Sequence, residues 1–559
     1  MTSPAWWRRA VCYQVYPRSF ADSNGDGVGD LPGITTKLDY LQWLGVDALW
    51  LSPFYPSPQL DWGYDVADFT AVHPDYGTLA DFDELLAEAH RRGLRVLLDL
   101  VLNHTSDQHP WFQQARAGQG NPYRDWYIWR PGHAGGPPND WESLFGGSAW
   151  EYDAASDEYY YHLFFAGQPD LNWRNPEVRA ALEGVMRFWL DRGVDGFRLD
   201  AINHIFERED LPNAQVPGRL AELFLDARQG LWAGAADMVG RKIRFQENQP
   251  ETHPLMRDLR RLVDGYGDRV LLGETEALAY YGNGADELHS VFDFPLIQPA
   301  LTATGLRAAL AERLPALPAG AWECHTLSNH DRSRSASVFA DGRHDAERRR
   351  AALALVILLR GTPVLYYGEE LGMVDLFPET PEAFKDTLAH WAYTALSGRL
   401  ETGPAEAFDR ARRYFCRDIC RTPMQWTAGP HAGFAPAGVA PWLPVHPNHA
   451  AGVNVAAQQA DPDSLLNWLR AVLHLRRAQP ALREGELDLL PDTGEVLAFW
   501  RRAPEQACLV ALNLSAQPAE LAAGTSLTRL IYPLDRALAG AEAAGPLTLP
   551  PYAIVVAER

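Results

Sequence analysis

The stretch Gly196-Phe197-Arg198-Leu199-Asp200-Ala201-Ile202-Asn203 constrains this chain more than any other. Its first four residues read as a short buried strand. Alternate side chains of a strand share a face, so Arg198 and Asp200 point the same way at its end. On its own the pair is compatible with a salt bridge in a sheet core. Three further polar clusters follow other predicted strands: Asp99, Asn103 and His104; Glu274; and His330 with Asp331. Carboxylates at the ends of several strands, without a basic neighbour beside each, are costly unless they do chemistry.

Strands are predicted over 11–16, 46–51, 95–101, 196–199, 270–273, 290–294, 324–327 and 363–367. Helical patterns fall between them, over 31–44, over 78–92 from a Thr cap, and over 175–192, where Asn175 caps and Pro176 takes the first position. Strand and helix in alternation, eight times, predict an α/β fold, a (β/α)8 TIM barrel with its site at the C-terminal strand ends. The barrel begins in 1–104. Residues 105–173, rich in Gly, Pro and aromatics, are too long for a βα loop and are expected to form an inserted domain after strand 3. The barrel resumes over 174–480 with an irregular excursion at 372–442 and a last helix over 464–478. Short apolar runs at 496–500, 508–513 and 554–556 predict a C-terminal all-β domain over 481–559.

With 72 acidic and 50 basic residues, net charge -22, the chain repels nucleic acid and anionic membranes. Nineteen Trp, 21 Tyr and 22 Phe, many beside Gly, Pro and Asp, suit the faces of a sugar, although most aromatics serve a core. Five cysteines without metal-type spacing read as free thiols of a reducing compartment, and no stretch approaches the ~18 apolar residues of a membrane span. A cytoplasmic location is expected, and the oligomeric state is not indicated. Oxygen-bearing residues alternate with glycines through Asp22, Asn24, Asp26, Val28 (by its carbonyl) and Asp30. That pattern suits a structural Ca²⁺ or Mg²⁺, and it equally suits a turn held by Asx hydrogen bonds.

DLVLNH at 99–104, GFRLDAIN at 196–203, LLGE at 271–274 and SNHD at 328–331 resemble, in order, the four core motifs of the α-amylase family of retaining glycoside hydrolases, with QPDLNW at 168–173 resembling a fifth. The likeness covers nearly the whole chain and points to the α-glucosidase and oligosaccharide-hydrolase branch. It implies Asp200 as nucleophile, Glu274 as general acid/base, and Asp331 as the carboxylate that holds the sugar's 2- and 3-hydroxyls. It also implies Arg198 as the residue orienting the nucleophile and His104 and His330 as donors to the bound glucose. Arg198 beside Asp200 is expected to keep that carboxylate ionised, while Glu274, crowded by other acids, is expected to hold a proton.

The same resemblance places Tyr64, in LDWGYD at 60–65, against the terminal glucose with Asp61 near its 4-hydroxyl, and Gln168, Phe145 and Phe164 among the substrate contacts. CRTPMQW at 420–426 implies that Arg421 closes the same end, paired across the pocket with Asp61, and the acidic run at 22–30 matches the branch's structural metal loop. Ala201, next to the nucleophile, occupies a position where small or hydroxyl residues accompany α-1,4 cleavage and valine α-1,6. Residues 277–287 depart from the family's pattern. The expected activity is exo-acting release of glucose from short α-1,4-linked oligosaccharides such as maltose, with glucosyl transfer as a further outcome. Rivals on the same motifs are an oligo-1,6-glucosidase, a trehalose synthase-like isomerase and a sucrose hydrolase. A non-catalytic transporter partner would need a membrane span and would lack the intact carboxylate triad.

Overall fold

The computed structural model describes residues 5–293, 301–399, 402–491, 494–521, 529–533 and 547–558. Eight parallel strands close a barrel: β1 (Cys12–Val15), β2 (Ala48–Leu51), β3 (Arg95–Val101), β7 (Gly196–Asp200), β8 (Val270–Gly273), β9 (Ser290–Asp293), β10 (Cys324–Thr326) and β11 (Thr362–Tyr366), with β11 returning to β1. Each lies within a residue or two of its predicted place. Phe294, the end predicted for β9, lies outside the described residues. The strands are buried on both faces and so read as continuous apolar runs. Gly196 opens β7 at φ 153°, where an added Cβ would lie 2.2 Å from the Val270 carbonyl oxygen, so only glycine lets β7 sit flush on β8.

Between β3 and β7, a three-stranded antiparallel sheet is built from β4 (Trp129–Pro131), β5 (Trp150–Asp153) and β6 (Glu158–Tyr161). The stretch 372–442, expected to be irregular, carries the helices Thr387–Ser397 and Pro404–Tyr414. The single helix expected over 31–44 is two, Leu31–Thr35 and Leu38–Leu44. At the break the Thr35 and Thr36 hydroxyls donate back to the Leu31 and Gly33 carbonyls, an alternative to helix continuation. The three α-helices between β7 and β8, Leu220–Gln229, Ala235–Ile243 and Thr252–Asp264, were not singled out in the sequence either. At the C-terminus β12 (Glu486–Leu489), β13 (Val496–Ala503), β14 (Gln506–Asn513), β16 (Arg529–Pro533) and β18 (Ile554–Glu558) form one antiparallel sheet beside the pair β15 (Ala519–Leu521) and β17 (Leu547–Leu549). All five cysteines are buried and free. Among the described residues no helix is long and apolar enough to cross a membrane.

Candidate active site

The barrel sheet brings Asp99, Arg198 and Glu274 to one end, because β3 pairs β7 in the register Asp99 to Arg198 and β7 pairs β8. Arg198, 1% exposed, is the hub. Its Nη1 donates to Asp99 Oδ1 and to Asp200 Oδ1, both at 2.7 Å, and its Nη2 lies 2.8 Å from Glu274 Oε1. The other oxygen of Glu274 accepts the Ala201 N–H at 3.0 Å. Ala201 sits at φ 46°, a left-handed turn that ends β7 and points this amide back at the acid.

One guanidinium thus serves three carboxylates. Burial pushes the Asp200 carboxyl well above the usual range against the pull of Arg198, with Glu274 and Asp99 adding to the rise. Burial likewise lifts Asp99 to about 6, again against Arg198. The expectation that Arg198 alone keeps Asp200 ionised is therefore corrected for the free site: the charge is divided and the cluster is largely dry, so Asp99 and Asp200 compete for it.

A second chain of hydrogen bonds backs the site. The Gln14 amide nitrogen donates to His330 Nδ1 at 2.8 Å, which puts the ring proton on Nε2, facing the Tyr64 hydroxyl at 2.6 Å and Asp331 Oδ2 at 3.3 Å. Tyr64 in turn donates to Asp99 Oδ2 at 3.0 Å and stacks on the His330 ring. Burial holds His330 at about 3 and His104 at about 4, so both are neutral near pH 7. His104 meets the Gln168 amide at 3.0 Å and the edge of Phe164. Asp331 behaves oppositely to Asp200. Against the cost of burial, His330, Arg417 and Arg421 hold its carboxyl well below the usual range.

The arginine at the blind end is not the one the sequence motif implied. Arg421 is fully buried behind the site, donating to Asp331 Oδ1 and to the His330 carbonyl, both at 2.7 Å. Arg417 pairs with Asp61 at 2.7 Å and forks onto Asp386 at 2.7 and 3.0 Å. Gln168 donates to the other oxygen of Asp61. Arg417 escapes a motif search because it lies one turn before CRTPMQW, on the short helix Arg417–Ile419. Asp386 escapes because it reads as an ordinary helix cap, which it also is, accepting the Leu388 N–H.

These groups surround a cavity of about 260 Å³. Asp61, Tyr64, His104, Phe145, Phe164, Asp200, Ala201, Glu274 and Asp331 all line it, while Arg198, Gln168, His330 and Arg421 support it from behind. Phe224, Arg228, Arg332 and Arg417 also line it and were not foreseen. The segment 277–287 does not reach it. Instead it carries the 3-10 helix Leu278–Tyr281 and buries Glu287 against His253 and Arg257.

Far along the chain from these residues, the acidic run folds into a tight loop. Asp22 accepts the Gly25 and Gly27 amides, Asn24 that of Asp26, and Asp26 that of Val28. Asp30 takes four donors, from Ser23 (two), Asn24 and Gly33, which uses up its oxygens. Lone pairs on Asp22, Asn24 and Asp26 and the Val28 carbonyl are the hard oxygen donors a Ca²⁺ or Mg²⁺ takes. Among the described residues no three His, Cys, Asp or Glu side chains cluster closely enough to hold a metal by themselves.

A barrel with acids converging at its C-terminal rim and a walled, sugar-sized pocket defines a class of carbohydrate-active enzyme. Residues 14–485 match the alpha amylase catalytic domain, and the chain belongs to that family of glycoside hydrolases. It is 39% identical over 530 residues to an oligo-1,6-glucosidase of Parageobacillus thermoglucosidasius, covering 91% of this chain and 90% of the relative. It is 41% identical over 528 residues to a probable alpha-glucosidase of Rhizobium meliloti (strain 1021), covering 92% and 90%. Among solved structures, an alpha-glucosyl transfer enzyme superposes with a TM-score of 0.86 at 41% identity over 100% of both chains. Its substrate is accordingly a small carbohydrate.

Proposed function

We propose that the protein is an exo-acting, retaining α-glucosidase that releases glucose from the non-reducing end of short α-1,4-linked oligosaccharides such as maltose. The observation that supports this reading is the wall that Asp61, Arg417 and Asp386, with Gln168 behind them, bond together at the cavity, which would stop the pocket beyond the non-reducing glucose. Asp200, its negative charge stabilised by Arg198, attacks the anomeric carbon. Glu274 delivers a proton to the glycosidic oxygen, then takes one from the water that releases the glucosyl group. Asp331, held ionised by its two arginines, accepts the 2- and 3-hydroxyls. Neutral His104 lines the pocket beside the sugar, neutral His330 holds Tyr64 and Asp331 in place from behind, and Tyr64 offers its ring face. A sugar hydroxyl in place of water would give glucosyl transfer, a course supported by the likeness to a transfer enzyme.

Ala201 borders the cavity beside both acids, and its small side chain at that position supports the preference for α-1,4 linkages. Asp22, Asn24, Asp26 and the Val28 carbonyl are proposed to hold one structural Ca²⁺ or Mg²⁺, with Asp30 closing the loop. Rates on maltose, maltoheptaose and starch test the exo mode. Glucose release should fall with chain length, and rapid loss of starch viscosity without glucose would rule it out. Product analysis on maltose separates glucose from trehalose and so tests the isomerase reading.

A further inference from the structure

Two arginines that line the cavity stand apart from the others of the site. Arg228, on the last turn of the helix Leu220–Gln229, and Arg332, the residue after Asp331, both line it. The other arginines of the site each have carboxylate partners: Arg198 has three, Arg417 has Asp61 and Asp386, and Arg421 has Asp331. Arg228 has none. Its guanidinium lies over the rings of Phe224 and Phe415 at 5.8 and 6.0 Å, and its Nε is buried without a hydrogen-bond partner. The Arg332 side chain is exposed and likewise forms no ion pair or hydrogen bond among the described residues. Burial, then the repulsion of Arg332, push Arg228 down to about 10, which marks the two cations as mutually unfavourable neighbours. Both residues also border a second hollow, of about 140 Å³, that adjoins the first and is edged by Arg413 and Tyr414.

Two neighbouring guanidinium groups that line one pocket and have no carboxylate bonded to either among the described residues leave charge-assisted bonding capacity unused in the free protein. Two planar guanidinium forks lining one cavity match an oxyanion. We propose that Arg228 and Arg332 form an anion-binding subsite for the leaving group or glucosyl acceptor. The preferred partner there is a sugar or aryl group bearing phosphate or carboxylate. The proposal rests on the α-glucosidase reading for the glucose end and adds the chemistry of the other end.

The test compares kcat/KM for phenyl α-glucoside and 4-carboxyphenyl α-glucoside, and for maltose and maltose phosphorylated on O6 of its reducing-end glucose. Turnover of the two neutral substrates tests the underlying reading by itself. The anionic member of at least one pair should be preferred, by about 10- to 100-fold, the worth of one or two charge-assisted hydrogen bonds. Which pair shows it identifies carboxylate or phosphate as the source. In Arg228→Gln and Arg332→Gln that ratio of anionic to neutral should fall by at least about tenfold, whatever happens to absolute rates. Neutral substrates preferred in both pairs, or a preference that persists in the double variant, would overturn the proposal.

Discussion

Replacing Arg417 by lysine asks whether the blind end of the pocket is built as the structure places it. The guanidinium makes three short bonds, to Asp61 Oδ1 and to both oxygens of Asp386, and its Nη1 lies 3.5 Å from Asp331. An ammonium keeps the charge and loses the fork, so it serves one of the two buried carboxylates well and the other poorly. Asp386 is fully buried and Asp61 is 7% exposed, so little solvent screening softens the loss. One charge-assisted hydrogen bond is worth about 1.5 to 3 kcal/mol. The expected fall in kcat/KM for maltose is therefore ~10- to 100-fold. Selectivity should move with it. The wild type should discriminate strongly against maltose methylated on its non-reducing O4, and Arg417→Lys should narrow that ratio because the wall is loosened. Arg421→Lys should lower turnover of both sugars together, since Arg421 supports Asp331 from behind. If Arg421→Lys narrows the ratio and Arg417→Lys leaves it intact, the reasoning fails.

Other expectations follow from the same contacts. Because burial raises both Asp99 and Asp200, the acid limb of kcat/KM should lie above the ordinary carboxylate range, with activity rising as the cluster ionises. Asp99→Asn, which removes one competitor for Arg198, should move that limb down by about one unit or more, since charges ~5 Å apart interact by about 3 kcal/mol at an effective dielectric of ~20. A limb that does not move would refute the shared-charge picture. Ala201→Val should shift the maltose to isomaltose ratio towards isomaltose by ~10-fold or more, the worth of one or two methyls of misfit. Its melting temperature is the control for strain at a left-handed position. Equal loss of both disaccharides would place linkage choice elsewhere. Chelation should lower thermal stability more than the rate at low temperature, because a ligand of the native state stabilises by mass action. Unchanged melting with EDTA and with saturating Ca²⁺ or Mg²⁺ would refute the metal loop.

The barrel was legible because its strands are short, apolar and punctuated, and because parallel pairing needs a helix between each pair. The acids were legible because a polar residue at a buried strand's end has few structural uses, as Asp99, Asp200 and Glu274 illustrate. Pairings across long sequence separations were not. Arg417 meets Asp61 from 356 residues away, a distance no local pattern encodes, while its neighbour Arg421 sits in the more conspicuous motif. The charge of Asp200 was misjudged for a related reason: Arg198 is adjacent in sequence, but the two other carboxylates it serves arrive from β3 and the end of β8. The helix that carries both Phe224 and Arg228 follows β7 in a stretch broken by Pro, Gly and charge, where helical periodicity is weak.

The central claim is that Asp200 and Glu274 act on opposite sides of one anomeric carbon through a covalent glucosyl-enzyme. Proton NMR of the glucose released from phenyl α-glucoside, where the only sugar freed is the transferred one, followed before mutarotation, tests it most directly. The account predicts α-glucose first, with that signal lost in Asp200→Asn and reduced by roughly 10²- to 10⁴-fold in Glu274→Gln. β-Glucose as the initial product would contradict it.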